Sequence, residues 1–279
     1  MQEVLPRRHR VAVAAGVLVL GLWAPLGGAR ADEVALAPHR AAYELRLTGT
    51  EAESDVTDAY GAMTLEWTRT CDGWALSQKL RVIITPEESP RLDSEISFSS
   101  FESDDGLRYR FSSRTLRNGR EVEAFRGRAE CPTAGAPATA RYELPEGGEV
   151  ALSPDVVFPM QHTRELLAVA RRGDARYFAR FFDGPRPEDS PFAANVLILG
   201  DVQPGDSGPG AGVFEAADRP WWNVRMAFFT AGDSDEPDFE LGARVQDDGI
   251  ARSMSFEYGD FSMAADLVAL ERVAPPECG

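Results

Sequence analysis

The sequence contains few of the residues that build metal and redox sites. Its 279 residues include three cysteines and three histidines, and no two cysteines are close enough in the chain to match the usual zinc-binding spacings. Lysine is nearly missing as well, because Lys79 is the one lysine present. With 29 basic and 45 acidic residues, the formal net charge is −16. This balance argues against binding to a phosphate backbone, so we expect no nucleic-acid partner.

No apolar run reaches the length of a transmembrane helix. The longest run, residues 11–24, has 14 uncharged residues, whereas a helix needs about 20 to cross the hydrocarbon core. An arginine-rich segment, residues 7–10, precedes this run, and small residues follow it as far as Ala31. This is the pattern of a secretory signal peptide over residues 1–31, cleaved near Ala31, and it leaves Sec and twin-arginine export open. We expect a periplasmic protein that is not integral to the membrane.

The periplasm is an oxidising compartment in which disulfides form. The chain has three cysteines that could pair there: Cys71, Cys131 and Cys278. Because the number is odd, one of them must stay unpaired. The tail that leads to Cys278 has no apolar surface to hold it against the protein. A covalent tie is the simplest expectation for Cys278, and we favour Cys71 as its partner.

Most of the chain after residue 31 shows the alternation of apolar and polar residues that is typical of half-buried strands, as at Met63, Leu65 and Trp67. Asp-Gly or Asn-Gly pairs separate several of these runs and predict tight hairpins. The pairs are at residues 72–73, 105–106, 118–119 and 248–249. Roughly 12 to 14 strands are predicted in this way.

One stretch, residues 159–172, predicts an α-helix. Pro159 suits the first turn, apolar residues fall on one side, and Gly173 follows the last turn. A long antiparallel sheet that stayed flat would expose two edges and one apolar face. We therefore predict a mainly β fold, a single domain over residues 32–279, in which a long antiparallel sheet winds into a β-spiral or open barrel-like form with one short helix.

A set of spaced motifs runs through most of the chain after residue 31: Leu36-Ala37-Pro38-His39-Arg40-Ala41-Ala42-Tyr43, the strand from Trp67 to Cys71 with Gly73-Trp74, Asn118-Gly119, Phe158-Pro159-Met160-Gln161-His162-Thr163, Phe181-Phe182-Asp183-Gly184 and the terminal Cys278. Together they resemble the EipB-type cell-envelope integrity proteins of the periplasm of Gram-negative bacteria. The resemblance implies a single-domain β-spiral clamped by one disulfide, whose cysteines match Cys71 and Cys278. It also implies a role in maintaining the envelope under stress, without an established enzymatic activity. Cys131 lies outside the family's pairing.

The candidate binding surface consists of one histidine and four aromatic residues: His162, Phe158, Trp221, Trp222 and Phe181. Two interpretations stay open. These side chains can line a cavity, a lipid groove or a partner surface. Alternatively, His162 is a structural histidine near a helix start, and the aromatic rings, Phe178 among them, fill the core.

Two segments have sequences that suggest catalysis or metal binding. Residues 205–208, Gly-Asp-Ser-Gly, match the nucleophile segment of chymotrypsin-like proteases, but neither His39 nor His162 has the sequence context of that family's histidine. An acidic cluster lacks the central glycine of a calcium loop and is interrupted by a proline; its members are Asp233, Asp235, Asp238 and Glu240. We predict no catalytic residue, no metal and no cofactor, so the protein is not expected to be an enzyme.

These observations predict a non-enzymatic periplasmic protein that maintains cell-envelope integrity by binding another envelope component, with a protein as the expected partner. The alternative is a carrier or sensor of lipid or lipoprotein that uses the concave face of the sheet. A continuous apolar cavity would favour the carrier, because a carrier must remove acyl chains from water.

Overall fold

The computed structural model describes residues 34–185, 191–202, 219–230 and 236–278. This part of the chain contains fifteen strands and one helix, α1 (Pro159–Arg171). The strands are β1 (His39–Thr50), β2 (Val56–Arg69), β3 (Gly73–Pro86), β4 (Leu92–Ser103), β5 (Arg108–Arg117), β6 (Arg120–Glu130), β7 (Ala138–Leu144), β8 (Glu149–Leu152), β9 (Val156–Val157), β10 (Arg176–Phe181), β11 (Phe192–Val202), β12 (Trp221–Phe229), β13 (Phe239–Gln246), β14 (Ala251–Glu257) and β15 (Phe261–Arg272).

All of these strands belong to one sheet, in which most strands pair with their neighbours along the chain. From one edge to the other, the order runs from β8 down to β1 and then from β15 down to β9. The first and last strands therefore pair in the middle of the sheet, with His39 opposite Arg272 and Thr50 opposite Phe261. The short strand β9 runs parallel to β10, and the β1–β15 pair is antiparallel.

The two edge strands of the sheet are consecutive in the chain. β8 ends at Leu152 and β9 begins at Val156, so three residues lead from one edge to the other. The sheet is thus a nearly closed, barrel-like structure. The predicted fold class is confirmed.

The predicted hairpins connect β2 to β3, β4 to β5, β5 to β6 and β13 to β14. At the β5–β6 turn, Asn118 and Gly119 both have positive φ, 50° and 75°, as a two-residue type I′ hairpin requires. The sequence prediction lacks β8 and β9, because four and two residues are too few to show an alternation.

α1 begins at Pro159, as predicted, and ends at Arg171, one residue earlier than predicted. Gly173 has a φ of 79°, and its N–H donates to the carbonyl of Ala170 at 3.0 Å, as is usual for a helix that stops at glycine. The helix contacts β10 and β11. Leu167, on its buried side, is completely shielded from solvent.

The buried apolar side chains form three clusters. In the first, α1 packs against β10 to β13 together with Val34, Leu36 and Trp74. The second is formed mainly by β1, β2 and β15, and the third joins β5 to β8 with Phe158 and Phe182. Helix and aromatic side chains therefore fill much of the interior.

The predicted disulfide between Cys71 and Cys278 is present, with Cα atoms 5.5 Å apart. Cys71 lies in the turn between β2 and β3, so the bond ties the C-terminal tail to one end of the sheet. Cys131 is unpaired and half-buried, and its thiol donates to the carbonyl of Thr133 at 2.8 Å. The predicted pairing is confirmed.

Some sequence predictions lie outside the described residues. They are the signal peptide over residues 1–31, the Gly-Asp-Ser-Gly segment at residues 205–208, and Asp233 and Asp235 of the acidic cluster. Within the described ranges, no helix is both long and apolar enough to cross a membrane.

Candidate functional site

The five residues predicted as a binding surface lie in the interior. Phe158, His162, Trp221 and Trp222 are each at most 6% exposed, and Phe181 packs half-buried against the helix cluster. The structure brings His162 and Phe181 together, places Phe158 in the aromatic cluster of β5 to β8, and holds the two tryptophans on β12. A role of these five residues in binding a partner stays a prediction.

His162 is packed as an aromatic ring. Its ring centroid is 5.3 Å from that of Tyr177 and 5.1 Å from that of Phe181. Burial lowers the pKa of His162 to about 4, and Nε2 has no hydrogen-bond partner among the described residues. The ring is therefore neutral near pH 7 and is a weak base there.

Glu102, at the end of β4, holds the start of α1. The helix has no side-chain cap of its own at Phe158. Instead, the carboxylate of Glu102 accepts the backbone N–H groups of Met160 at 2.8 Å and Gln161 at 3.0 Å. Burial raises the pKa of Glu102 to about 7, although these two hydrogen bonds oppose the rise. A carboxylate 58 residues away in the sequence thus satisfies helix N–H groups that would otherwise lack acceptors.

An apolar and basic patch lies on the outer face of β10, β11 and β12. Phe178 is 58% exposed, Leu199 52% and Leu197 41%. Arg176 and Arg225 are also exposed, and each lies directly opposite Leu197 on one of its two neighbouring strands. We call these five residues the outer patch.

The alternation of the strands explains why the outer patch faces solvent. Tyr177, Val196 and Met226 are adjacent to patch residues along their strands and pack into the helix cluster on the opposite face of the sheet. A depression of about 500 Å³ lies beside the patch and reaches Glu240. Phe178 and Leu197 line this depression together, and Leu199 follows Leu197 on the same strand, so three large exposed apolar side chains lie on two adjacent strands.

The two arginines of the outer patch differ from other arginines on the same sheet. Arg180 pairs with Asp155 at 3.0 Å, and Arg46 pairs with Asp266 at 3.3 Å. Neither Arg176 nor Arg225 forms an ion pair with a carboxylate in the described part of the chain. Arg176, Leu197 and Arg225 form a row across three strands. In a chain with a formal charge of −16, this row is a local positive area suited to an acidic partner surface.

Asp248, the most deeply buried carboxylate of the described residues, has structural partners. It accepts from Arg219 and Arg272, both at 2.9 Å, and so links the start of β12 to the end of β15. Over the residues that the structure describes, no group of three or more His, Cys, Asp or Glu side chains is placed to hold a metal ion.

Sequence reasoning missed Glu102 and the outer patch for different reasons. Glu102 precedes an acidic turn and has the sequence context of a solvated residue. Phe178 was open to a core interpretation, although its flanking residues Arg176 and Arg180 carry the signal that this face of β10 is polar. The row across Leu197 depends on strand register, which the sequence does not specify.

Comparisons with known proteins agree with this architecture. The EipB-like family model matches residues 30–274. The chain is 28% identical over 269 residues to the cell envelope integrity protein EipB of Brucella abortus (strain 2308), covering 94% of each chain. A crystal structure of a β-barrel-like protein of a domain of unknown function from Brucella abortus superposes with a TM-score of 0.80 at 25% identity, covering 86% of this chain and all of that one. Because the family model spans most of the sequence, this chain belongs to the EipB-like family.

Proposed function

We propose that this chain is a non-enzymatic periplasmic protein that maintains cell-envelope integrity by binding another envelope component, and that this component is a protein. The name of the Brucella relative supports the envelope role. The proposal includes removal of residues 1–31 near Ala31, leaving residues 32–279 as a single domain. Sequencing of the N-terminus of the purified mature protein tests this part, since it should begin at Asp32.

The outer patch is the observation that carries the partner proposal. Phe178, Leu197 and Leu199 expose apolar area that a partner can remove from water. Arg176 and Arg225 add two charges that have no carboxylate partner among the described residues, which gives the surface a preference for acidic partners. The interior, in contrast, is occupied to a large extent by α1 and by stacked aromatic side chains.

Complementation of a strain that lacks the gene tests this function. The double variant Phe178→Ser/Leu197→Ser should fail to restore growth under detergent stress, because the partner loses its apolar contacts. Val122→Ser is the matched control, since Val122 is 51% exposed on β6, away from the patch. Equal rescue by the double variant, at equal protein level, would contradict the proposal.

A charge variant provides a second test that leaves the apolar side chains in place. Arg176→Gln/Arg225→Gln should weaken rescue as well.

A benzoylphenylalanine residue at position 178 should cross-link to one protein in intact cells, and the same residue at position 122 should not. Cross-linking of the same protein from both positions would show that the patch is not the contact.

A lipid or lipoprotein carrier is the second candidate function, and one observation favours it. On the same face of the sheet as the buried Met63, a set of apolar side chains is only half-buried, and these side chains surround the second cluster. They are Leu47, Leu65, Leu80, Ile84, Met254, Phe256, Phe261 and Leu270. Native mass spectrometry with lipid extraction, on protein from its own periplasm, separates the two functions. Acyl lipid at about one per chain supports the carrier, and bare polypeptide supports the protein-binding function.

A further inference from the structure

A crevice of about 550 Å³ lies where the two ends of the described chain meet. Residues 34–38 form one side of it, and the C-terminal tail, through Pro275, forms another. The two segments are joined by a hydrogen bond from the N–H of Val273 to the carbonyl of Pro38, at 2.9 Å. The disulfide at Cys278 fixes the far end of the tail. We call this space the terminal crevice.

One part of the terminal crevice is apolar. Val34, Leu36 and Trp74 line it and are each at most 7% exposed, and Pro38 and Pro275 complete this part of the wall. The volume lies within the range of small-molecule sites, roughly 300–1,000 Å³. The crevice therefore has room for a short apolar chain.

The polar part contains two arginines with different surroundings. Arg69 is fully engaged, because it donates to both carboxylate oxygens of Asp104, at 2.9 and 2.7 Å, and to the carbonyl of Gly73. Arg164, on α1, instead places its guanidinium carbon 6.0 Å from the ring centroid of Trp74. It forms no ion pair with a carboxylate among the described residues, although it interacts electrostatically with the buried carboxyl of Glu102.

Two buried N–H groups in this wall have no acceptor among the described residues: Nε of Arg164 and Nε1 of Trp74. Glu102 is the cross-strand neighbour of Trp74, and its two oxygens accept from the backbone N–H groups of Met160 and Gln161. Neither Nε of Arg164 nor Nε1 of Trp74 donates to it. Buried donors without acceptors are costly. An acceptor oxygen brought by a ligand would satisfy them.

We propose that the terminal crevice binds a small amphiphile with a single anionic headgroup, whose oxygens accept from Arg164 and Trp74 while its apolar body packs against Val34 and Leu36. The headgroup chemistry is that of a carboxylate or a phosphate, as found in free fatty acids and in phospholipid fragments. Arg69 and Asp104, already paired, form a neutral rim. The site is separate from the outer patch and from the half-buried apolar side chains around the second cluster, so it does not depend on the proposed function.

Isothermal titration of the mature, oxidised protein tests the site with three probes of equal chain length below their critical micelle concentrations. Octanoate and octyl phosphate carry the two anionic headgroups, and octyl glucoside carries a neutral one. At least one anionic probe should bind saturably at one site per chain, about tenfold or more tightly than octyl glucoside. The stronger of the two identifies the source, a fatty acid or a phosphate-bearing lipid.

Two variants locate the binding. Arg164→Gln should weaken binding of the anionic probe about tenfold. Trp74→Phe, which keeps an aromatic ring but removes the indole N–H, should weaken it severalfold. Arg110→Gln is the matched control, because Arg110 lies over Phe101 at 4.9 Å and is not a crevice residue. Absence of saturable binding, equal binding of octyl glucoside, or unchanged binding in both crevice variants would overturn the proposal.

Discussion

Glu102, the side chain that holds the start of α1, makes the stability of the fold depend on pH. Its pKa is raised by burial from an ordinary 4.5 to about 7. Between these two values, the folded chain holds a proton that the unfolded chain has released. The contribution of Glu102 to stability is therefore complete below pH 4.5 and is lost as the pH rises through about 7.

Glu102→Gln removes this titration while keeping an oxygen acceptor for α1. From pH 5 to pH 8, the melting temperature of the natural protein should fall by several degrees relative to that of the variant, measured by circular dichroism. His162 and His39 titrate in both proteins, so their effects cancel in the difference. Glu95→Gln, on the exposed face of the same strand, is the control. A difference that stays constant over this pH range would show that Glu102 is not the titrating group.

At Gly184, the backbone conformation is unfavourable for any residue with a side chain, and the surroundings leave no space for a Cβ atom. Its φ is 105°, a Cβ would lie 2.3 Å from the ring of Phe111, and its carbonyl accepts the hydroxyl of Tyr142 at 2.6 Å. Gly147 has a φ of 86° with no atom within 4 Å of such a Cβ. Both alanine variants should lose about 1–2 kcal/mol for the positive φ. Gly184→Ala should lose about 1–3 kcal/mol more for the clash, measured by urea unfolding. Equal losses would mean that the ring of Phe111 moves aside freely.

At the level of elements, the disulfide is the connection that holds the C-terminal tail. It closes a loop with a sequence separation of 207 residues, for which the chain-entropy treatment gives a stabilisation of up to about 5 kcal/mol. Cys71→Ser and Cys278→Ser should lower the melting temperature equally, because each removes the same bond. Cys131→Ser should have little effect. Equal losses at all three positions would be inconsistent with the pairing.

The strands and hairpins were the most predictable elements, because alternation and Asn-Gly or Asp-Gly turns are local signals. The helix was predicted to within one residue for a similar reason. Contacts that depend on the register between strands could not be predicted from such local signals. The cap at Glu102 joins β4 to α1 across 58 residues, and the row through Leu197 needs three strands to be aligned correctly. Alternation along one strand shows which of its residues lie on the same face of the sheet. It does not show which residue of the neighbouring strand lies opposite each of them.

For the whole molecule, the strand order is that of a circularly permuted meander, in which the first and last strands of the chain are neighbours at the centre of the sheet. If the chain began at β9 and ran through β15 into β1 and on to β8, each antiparallel pair would join strands that are adjacent in sequence. In the natural order, the β1–β15 pair instead joins residues as far apart as His39 and Arg272. Long-range pairings of this kind slow folding.

A circular permutant tests this interpretation. It starts at Val156, ends at Ser153 and joins the natural ends through a Gly/Ser linker. The Cys71–Cys278 disulfide is reduced in both chains, because it would otherwise hold the C-terminal tail near the β2–β3 turn in the unfolded state. Refolding, followed by tryptophan fluorescence after stopped-flow dilution from urea, should then be faster than for the natural chain. A second permutant cut between Asn118 and Gly119 separates β5 from β6 and creates a new long-range pair, so it should show no acceleration. Equal rates in the two permutants would mean that the β1–β15 pairing does not limit folding.

The position of β15 between β1 and β14 also affects incomplete copies of the protein. Synthesis begins at the N-terminus and β15 is made last. Until then, β1 and β14 each lack one of their two neighbouring strands. A copy truncated before Phe261 leaves two open strand edges at the centre of the sheet, where another chain can add or a protease can cut. The strand order thus distinguishes finished molecules from unfinished ones, and quality control in the cell can act on that difference.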